Sequence, residues 1–159
     1  MTARARRTVR AGRGLDAGDA EAERQWRVLE RVYGRVAGAL DAALHAAHGV
    51  TLVEYRVLEC LAAPDPRGRR LSVRDVAERL GVSDSTASRT LGRLGRRHRP
   101  LVRSAERDRM LEPVLTPEGE ETLARAAATY SNAFASAWAR AADPKEALAA
   151  LVRRVACPV

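Results

Sequence analysis

Aromatic residues are scarce in this chain of 159: they make up 4% of it, as two Trp, three Tyr and one Phe. A stacking platform for single-stranded nucleic acid needs several of them on one surface, so that class of binder is excluded. Lysine is nearly missing; Lys145 is the single example, and every other basic side chain with a fixed charge is arginine. The two cysteines, Cys60 and Cys157, stand 97 positions apart, which is neither a disulfide framework nor the spacing of a metal knuckle. No run approaches the ~18 uninterrupted apolar residues of a membrane span, and the basic N-terminus lacks the apolar segment of a signal peptide. A reduced, cytoplasmic compartment without a membrane partner is expected. Glycine-rich phosphate loops, nucleophile elbows and paired catalytic carboxylates are also missing, so no enzyme is expected. His45 and His48 lie three apart on a predicted helix but have no third metal ligand near in sequence. Neither a metal nor a cofactor is expected.

What is present is positive charge, a formal net +8, and it points to an anionic partner, nucleic acid before membrane. The charge is concentrated beside one segment, Ser72 to Arg97. Ser72 and Asp75 have the spacing of a capping box, and Val73, Val76, Ala77 and Leu80 then recur at helical intervals. Gly81 stands where a helix needs a left-handed terminal residue. Ser83 caps a second helix whose apolar face is Ala87, Leu91 and Leu94. This is the length and pattern of a helix-turn-helix, in which the second helix enters the DNA major groove. Its outward residues are Ser83, Ser85, Thr86, Ser88, Arg89 and Arg93. Hydroxyls near a helix N-terminus bond phosphate or base edges, and arginine takes guanine O6 and N7 in a bidentate fork. From Arg89 to Arg109 there are eight arginines (89, 93, 96, 97, 99, 103, 107, 109) against two acids, Glu106 and Asp108. The plainer alternative is a solvated basic helix in an arginine-rich chain, but capping, turn and charge agree on the first reading.

Taken in order, residues 1–18 have almost no large apolar side chain and read as a flexible basic arm. Residues 19–48 read as one long helix with Trp26, Leu29, Tyr33, Val36, Leu40 and Leu44 on one face, a partner-seeking seam more than a core stripe. Thr51 starts a second helix with Val53, Val57, Leu58 and Leu61 inward, ending before Pro64 and Pro66; Leu71 is a candidate short strand. Leu101–Arg103 and Met110–Leu115 predict two strands of a charged-tipped hairpin, a wing beside the helix-turn-helix, with Pro113 favouring an edge. Thr116, Pro117 and Glu118 form a strong helix start; this helix runs to about Ala141 with Leu123, Ala127, Tyr130, Phe134 and Trp138 on one face. Asp143 to Glu146 starts a last helix lined by Leu148, Leu151, Val152 and Val155. The resulting division is 51–116 as a winged DNA-binding domain, with 19–48 and 117–156 as a helical dimerisation region. The fold class is mainly α.

This order of elements resembles the MarR family, named for multiple antibiotic resistance regulators. The resemblance rests on TLVEYRVLECLA at 51–62, LSVRDVAERLGVSDSTASRTLGRL at 71–94 and DRMLEPVLTPEG at 108–119. It implies a homodimeric regulator, usually a repressor, on a pseudopalindromic double-stranded operator, released by a small aromatic or phenolic ligand or by an oxidant. Family members usually carry a wing arginine seven residues before the Thr of the Leu-Thr motif; here that is Arg109, and Arg103 and Arg107 lie on the same hairpin. The aspartate usually found two residues before that arginine is replaced by Arg107, the hairpin is shorter than the family pattern, and Asp84 stands where a basic or neutral residue is common. The family's ligand pocket lies between the dimer helices and the winged lobe, where Trp26, Tyr33, His45, His48, Tyr55 and Arg56 would line it. Two other readings carry their own marks. An architectural DNA binder would use the arginine-rich arm without sequence preference, and a redox-responsive regulator would use Cys60 or Cys157.

Overall fold

The computed structural model describes residues 17–63, 69–107 and 110–141. The basic arm, the last predicted helix, Cys157 and Arg109 lie outside them. Among the described residues five helices and one hairpin follow in the order α1 (Ala17–His48), α2 (Leu52–Ala62), α3 (Val73–Leu80), α4 (Asp84–Gly95), β1 (Val102–Arg107), β2 (Met110–Leu115) and α5 (Pro117–Arg140). The described residues fall into two compact units, divided between Val32 and Tyr33. In the first, Glu21 with Arg24 and Glu23 with Arg27 form ion pairs along α1, and Trp26 is 53% exposed.

The second unit holds the core, built from Leu40 and Leu44 of α1, Val57 and Leu58 of α2, Val76 of α3, and Leu91 and Leu94 of α4. The helix boundaries are set locally. Thr51 caps α2 in a full capping box with Glu54, and Asp41 of α1 accepts the Leu52 N–H at 2.7 Å. Ser72 and Asp75 form the expected box on α3, Gly81 ends α3 at φ +64°, and Ser83 caps α4. Few residues other than glycine hold that φ without strain, so the tight corner between α3 and α4 depends on Gly81.

Three expectations need correction. The buried side of α2 is Leu52, Glu54, Tyr55, Val57, Leu58 and Cys60, while Val53 is exposed. The helix is packed between α3, α4 and α5, so it buries a broad face rather than a stripe. Leu71 is buried but forms no strand. On α5 the buried residues are Gly119, Thr122, Ala126 and Ala137, and Ala127 is exposed. The aromatic side chains of α5 share one face, as expected, and form a ladder. Tyr55 stacks on Tyr130 at 5.0 Å, Tyr130 on Phe134 at 6.5 Å, and Phe134 on Trp138 at 5.6 Å between ring centres.

The hairpin is antiparallel with Val102 opposite Leu115 and Arg107 opposite Met110. β1 is therefore longer than the three residues expected, because pairing with β2 holds Ser104 to Arg107 extended. Its base is tied to both neighbours. Leu101 N–H donates to Leu94 O at the end of α4, and Thr116 N–H donates to Leu101 O. Thr116 Oγ1 donates to Pro100 O at 2.6 Å and accepts from Gly119 N–H, capping α5. Among the described residues no single helix is long and apolar enough to cross a membrane.

Candidate nucleic-acid interface

Helix α4 is the centre of the site. It buries Ala87, Thr90, Leu91 and Leu94. At ~3.6 residues per turn the opposite face carries Ser85, Arg89, Gly92 and Arg96, and both arginines are exposed. Thr90 escaped the apolar pattern because its hydroxyl is satisfied inside the helix, donating to Thr86 O at 2.9 Å. At the N-terminus three hydroxyls cluster. Ser83 Oγ lies 3.1 Å from Ser85 Oγ and 2.9 Å from Thr86 Oγ1, and accepts from Thr86 N–H. Arg89 reaches Thr86 Oγ1 at 3.5 Å. This leaves its guanidinium with open donors on the exposed face. Asp84 is exposed in the first turn, where a negative charge favours the helix dipole.

Arg96 is a residue the sequence reading missed. It caps the C-terminus of α4, and its guanidinium folds back over Gly92, 2.9 Å from where a β-carbon would stand. The signal was available: Gly92 is four residues before Arg96, on the same face. Beside this ridge, Ser88, Gly92, Arg96, Arg103 and Ser104 line a cleft of about 540 Å³ between α4 and the wing, floored by Leu91, Val102 and Pro113. Arg103 is exposed on β1. Arg107 belongs to β1, opposite Met110.

Arg93 is exposed, as expected of an outward residue, and it is also paired with α2. Its Nε lies 3.5 Å from Glu54 Oε1 of α2, and Arg97 Nη2 lies 2.9 Å from Glu54 Oε2 and from Gly49 O. The Glu54 side chain is 6% exposed and also accepts the Thr51 N–H at 2.9 Å. A buried carboxylate needs such partners, and it draws both arginines toward the start of α2. The two arginines are 39 and 43 residues away in sequence, so no local pattern reveals the pairing.

The α3 cap has a measurable consequence. Hydrogen bonds from Ser72 Oγ and N–H, aided by Arg69, hold the Asp75 carboxyl below its ordinary value of 3.8. A depressed folded-state value means the stabilisation is full above the unfolded value and is lost as pH falls through the folded one. Asp75→Asn should cost about 1 kcal/mol at neutral pH and flatten the loss of stability below about pH 4. Urea unfolding across pH checks this; an unchanged acid limb would refute the role.

Of the six residues expected at a ligand pocket, His48 and Tyr55 meet neighbouring residues of α5, and the other four are exposed. Trp26 is exposed in its own unit; Tyr33 is 62% exposed. His45 is exposed, and His48 bonds Thr129 Oγ1 at 2.8 Å. Tyr55 is buried under Tyr130. Its hydroxyl is pushed up to about 12 by burial and then by the charge and hydrogen bond of Glu59, so it stays protonated. Arg56 lines a cleft of about 430 Å³ with Glu59, Cys60, Ala63, Arg79, Leu80 and Tyr130. Burial pushes the Cys60 thiol up, and Arg79 opposes this only partly. That is the reverse of the electropositive, accessible setting of a reactive thiolate. Among the described residues no three His, Cys, Asp or Glu side chains gather where they could hold a metal ion.

A helix-turn-helix whose second helix presents hydroxyls and arginines beside a two-stranded wing defines the winged-helix class. Residues 48–97 match the family model described as the MarR family. The structure is similar to that of Sco3205, a MarR family transcriptional regulator from Streptomyces coelicolor solved in complex with DNA, at 28% identity and TM-score 0.68, over 91% of this chain and 90% of that one. It is similar also to a MarR family regulator from Silicibacter pomeroyi, at 22% identity and TM-score 0.70, over 89% and 96%. A third is Rv2887 of Mycobacterium tuberculosis, whose complex with DNA aligns at 23% identity and TM-score 0.58, over 83% and 97%. No curated protein matches the sequence. The fold is that of a winged-helix protein, and the helix-turn-helix segment is similar to the MarR family of transcriptional regulators.

Proposed function

We propose that this protein is a homodimeric repressor that reads a pseudopalindromic site in double-stranded DNA and lets go on binding a small aromatic ligand. The observation that carries the DNA-reading part is the exposed face of α4, with Ser85, Arg89 and Arg96 on one line and Ser88 and Arg103 flanking it. In this reading residues 51–116 form the DNA-binding module, and 19–48 with 117–156 the dimerisation region. Exposed Tyr33 and Phe134 support a partner surface on α1 and α5; a partner copy would cover them. For the ligand, the cleft lined by Arg56 and Tyr130 has the volume of a small-molecule site, and a cation beside an aromatic ring suits an aromatic acid. Rv2887 has been solved in complex with p-aminosalicylic acid, which makes that compound a suitable first probe.

The test is fluorescence anisotropy with a selected genomic duplex, competed by random DNA and by p-aminosalicylate, with stoichiometry from sedimentation. Two chains per site, at least ~10³-fold preference over random DNA and release by the acid are expected. Equal competition by random DNA would favour the architectural reading, and one chain per site would refute the dimer. Failure of p-aminosalicylate together with a panel of aromatic acids would refute ligand release.

A further inference from the structure

We propose that Glu54 is a buried charge lock that withholds Arg93 from DNA, so that α4 presents Arg89 and Arg96 alone on its reading face. The proposal rests on the DNA-binding reading above. The carboxylate sits where three elements meet. Its Oε2 takes the Thr51 N–H that starts α2 and an Nη2–H of Arg97, and its Oε1 takes the charge of Arg93. Arg97 is held a second time by Gly49 O, the carbonyl of the joint between α1 and α2. Among the described residues Arg93 has no such second anchor; its other contact is Thr90 Oγ1 at 3.5 Å, and its side chain is 58% exposed. It is therefore the mobile member of the trio, with a stem long enough to swing outward once the carboxylate charge is gone.

Residues 86, 90, 93 and 97 run along one edge of α4, the edge facing α2. A phosphate approaching that edge meets an arginine already paired with the Glu54 carboxylate, which it shares with Arg97. An unpaired guanidinium there would add a contact that every DNA sequence offers equally, since phosphates carry no base identity. Glu54 thus limits binding that is independent of sequence and leaves discrimination to Arg89 and Arg96.

Glu54→Gln tests this without dismantling the start of α2, because glutamine also closes a capping box. The full-length protein is titrated against a random-sequence duplex and the selected site from about 50 to about 200 mM salt, where each phosphate contact contributes about 0.9 to the slope of log K against log salt. The lock predicts that Glu54→Gln steepens that slope by about 0.9 per subunit. Random-DNA affinity then falls about threefold more than the parent's across the range, and the ratio of selected to random affinity shrinks. Adding Arg93→Ala removes the gain. In the parent background Arg93→Ala leaves the slope unchanged. A slope that drops by about 0.9 in that single variant would overturn the proposal, because Arg93 would then already be on phosphate. So would a Glu54→Gln slope equal to the parent's in protein whose melting shows it folded. A parent that binds no duplex at any salt would instead refute the DNA-binding reading itself.

Discussion

Gly119→Ala should lower the melting temperature by roughly 10 °C. A β-carbon at Gly119 would stand 2.1 Å from Leu101 O, 3.0 Å from Leu101 C and 3.4 Å from its Cα. These are backbone atoms, so no side chain can rotate away. Leu101 cannot retreat freely either. Its N–H is held by Leu94 O and its carbonyl by Thr116 N–H, the two bonds that fix the base of the wing between α4 and α5. Overpacking against fixed backbone costs about 3 kcal/mol or somewhat more, and a protein of this size loses roughly 2–4 °C for each kcal/mol. Gly92→Ala is the contrasting case. Its β-carbon meets only the guanidinium end of Arg96, which can move, and alanine is the better helix former by about 1 kcal/mol. Thermal unfolding followed by circular dichroism should show the first variant destabilised and the second unchanged or raised. Equal melting of Gly119→Ala and the parent would mean that the first turn of α5 does not seat on Leu101.

The second large effect falls on recognition. Arg89→Ala should weaken binding to the preferred DNA site by roughly tenfold to a hundredfold per subunit, the 1–3 kcal/mol that one bidentate arginine–guanine contact contributes. Arg89 is singled out by position. It lies at the middle of the exposed face of α4, and among the described residues its one side-chain bond is the long contact to Thr86 Oγ1. Its donors are thus available to a base edge. On random DNA the loss should be much smaller, confined to any phosphate contact. Anisotropy titrations of both duplexes measure the ratio; an equal loss on each would make Arg89 a phosphate contact and move the reading task to Arg96.

What the sequence made legible was the local chemistry. Ser72 with Asp75, the positive-φ position at Gly81, the Ser83 cap and the Thr116–Pro117 start all act within four residues of themselves, and the structure has each of them. The winged-helix order followed from these marks. Less legible was whatever depends on partners far along the chain. Glu54 reads as half of a capping box, which it is, but its meeting with Arg93 and Arg97 depends on how α2 crosses α4. The stacking of Tyr55 on Tyr130 joins residues 75 positions apart, which no local pattern reveals. Val53 looked buried because a single stripe was assumed for a helix that is packed on several sides. Arg96 was overlooked because the outward face was read as a run of hydroxyls followed by arginines, while the helix selects positions 85, 89, 92 and 96.

The central claim is that the exposed face of α4 reads sequence in duplex DNA. The most direct test is to select bound fragments from a digest of the source genome with purified protein and to sequence them. The account predicts one enriched motif, roughly two-fold symmetric, with half-sites about one helical turn apart. Fragments enriched without any shared motif would contradict it and would leave the arginines of α4 and the wing as contacts to phosphate alone.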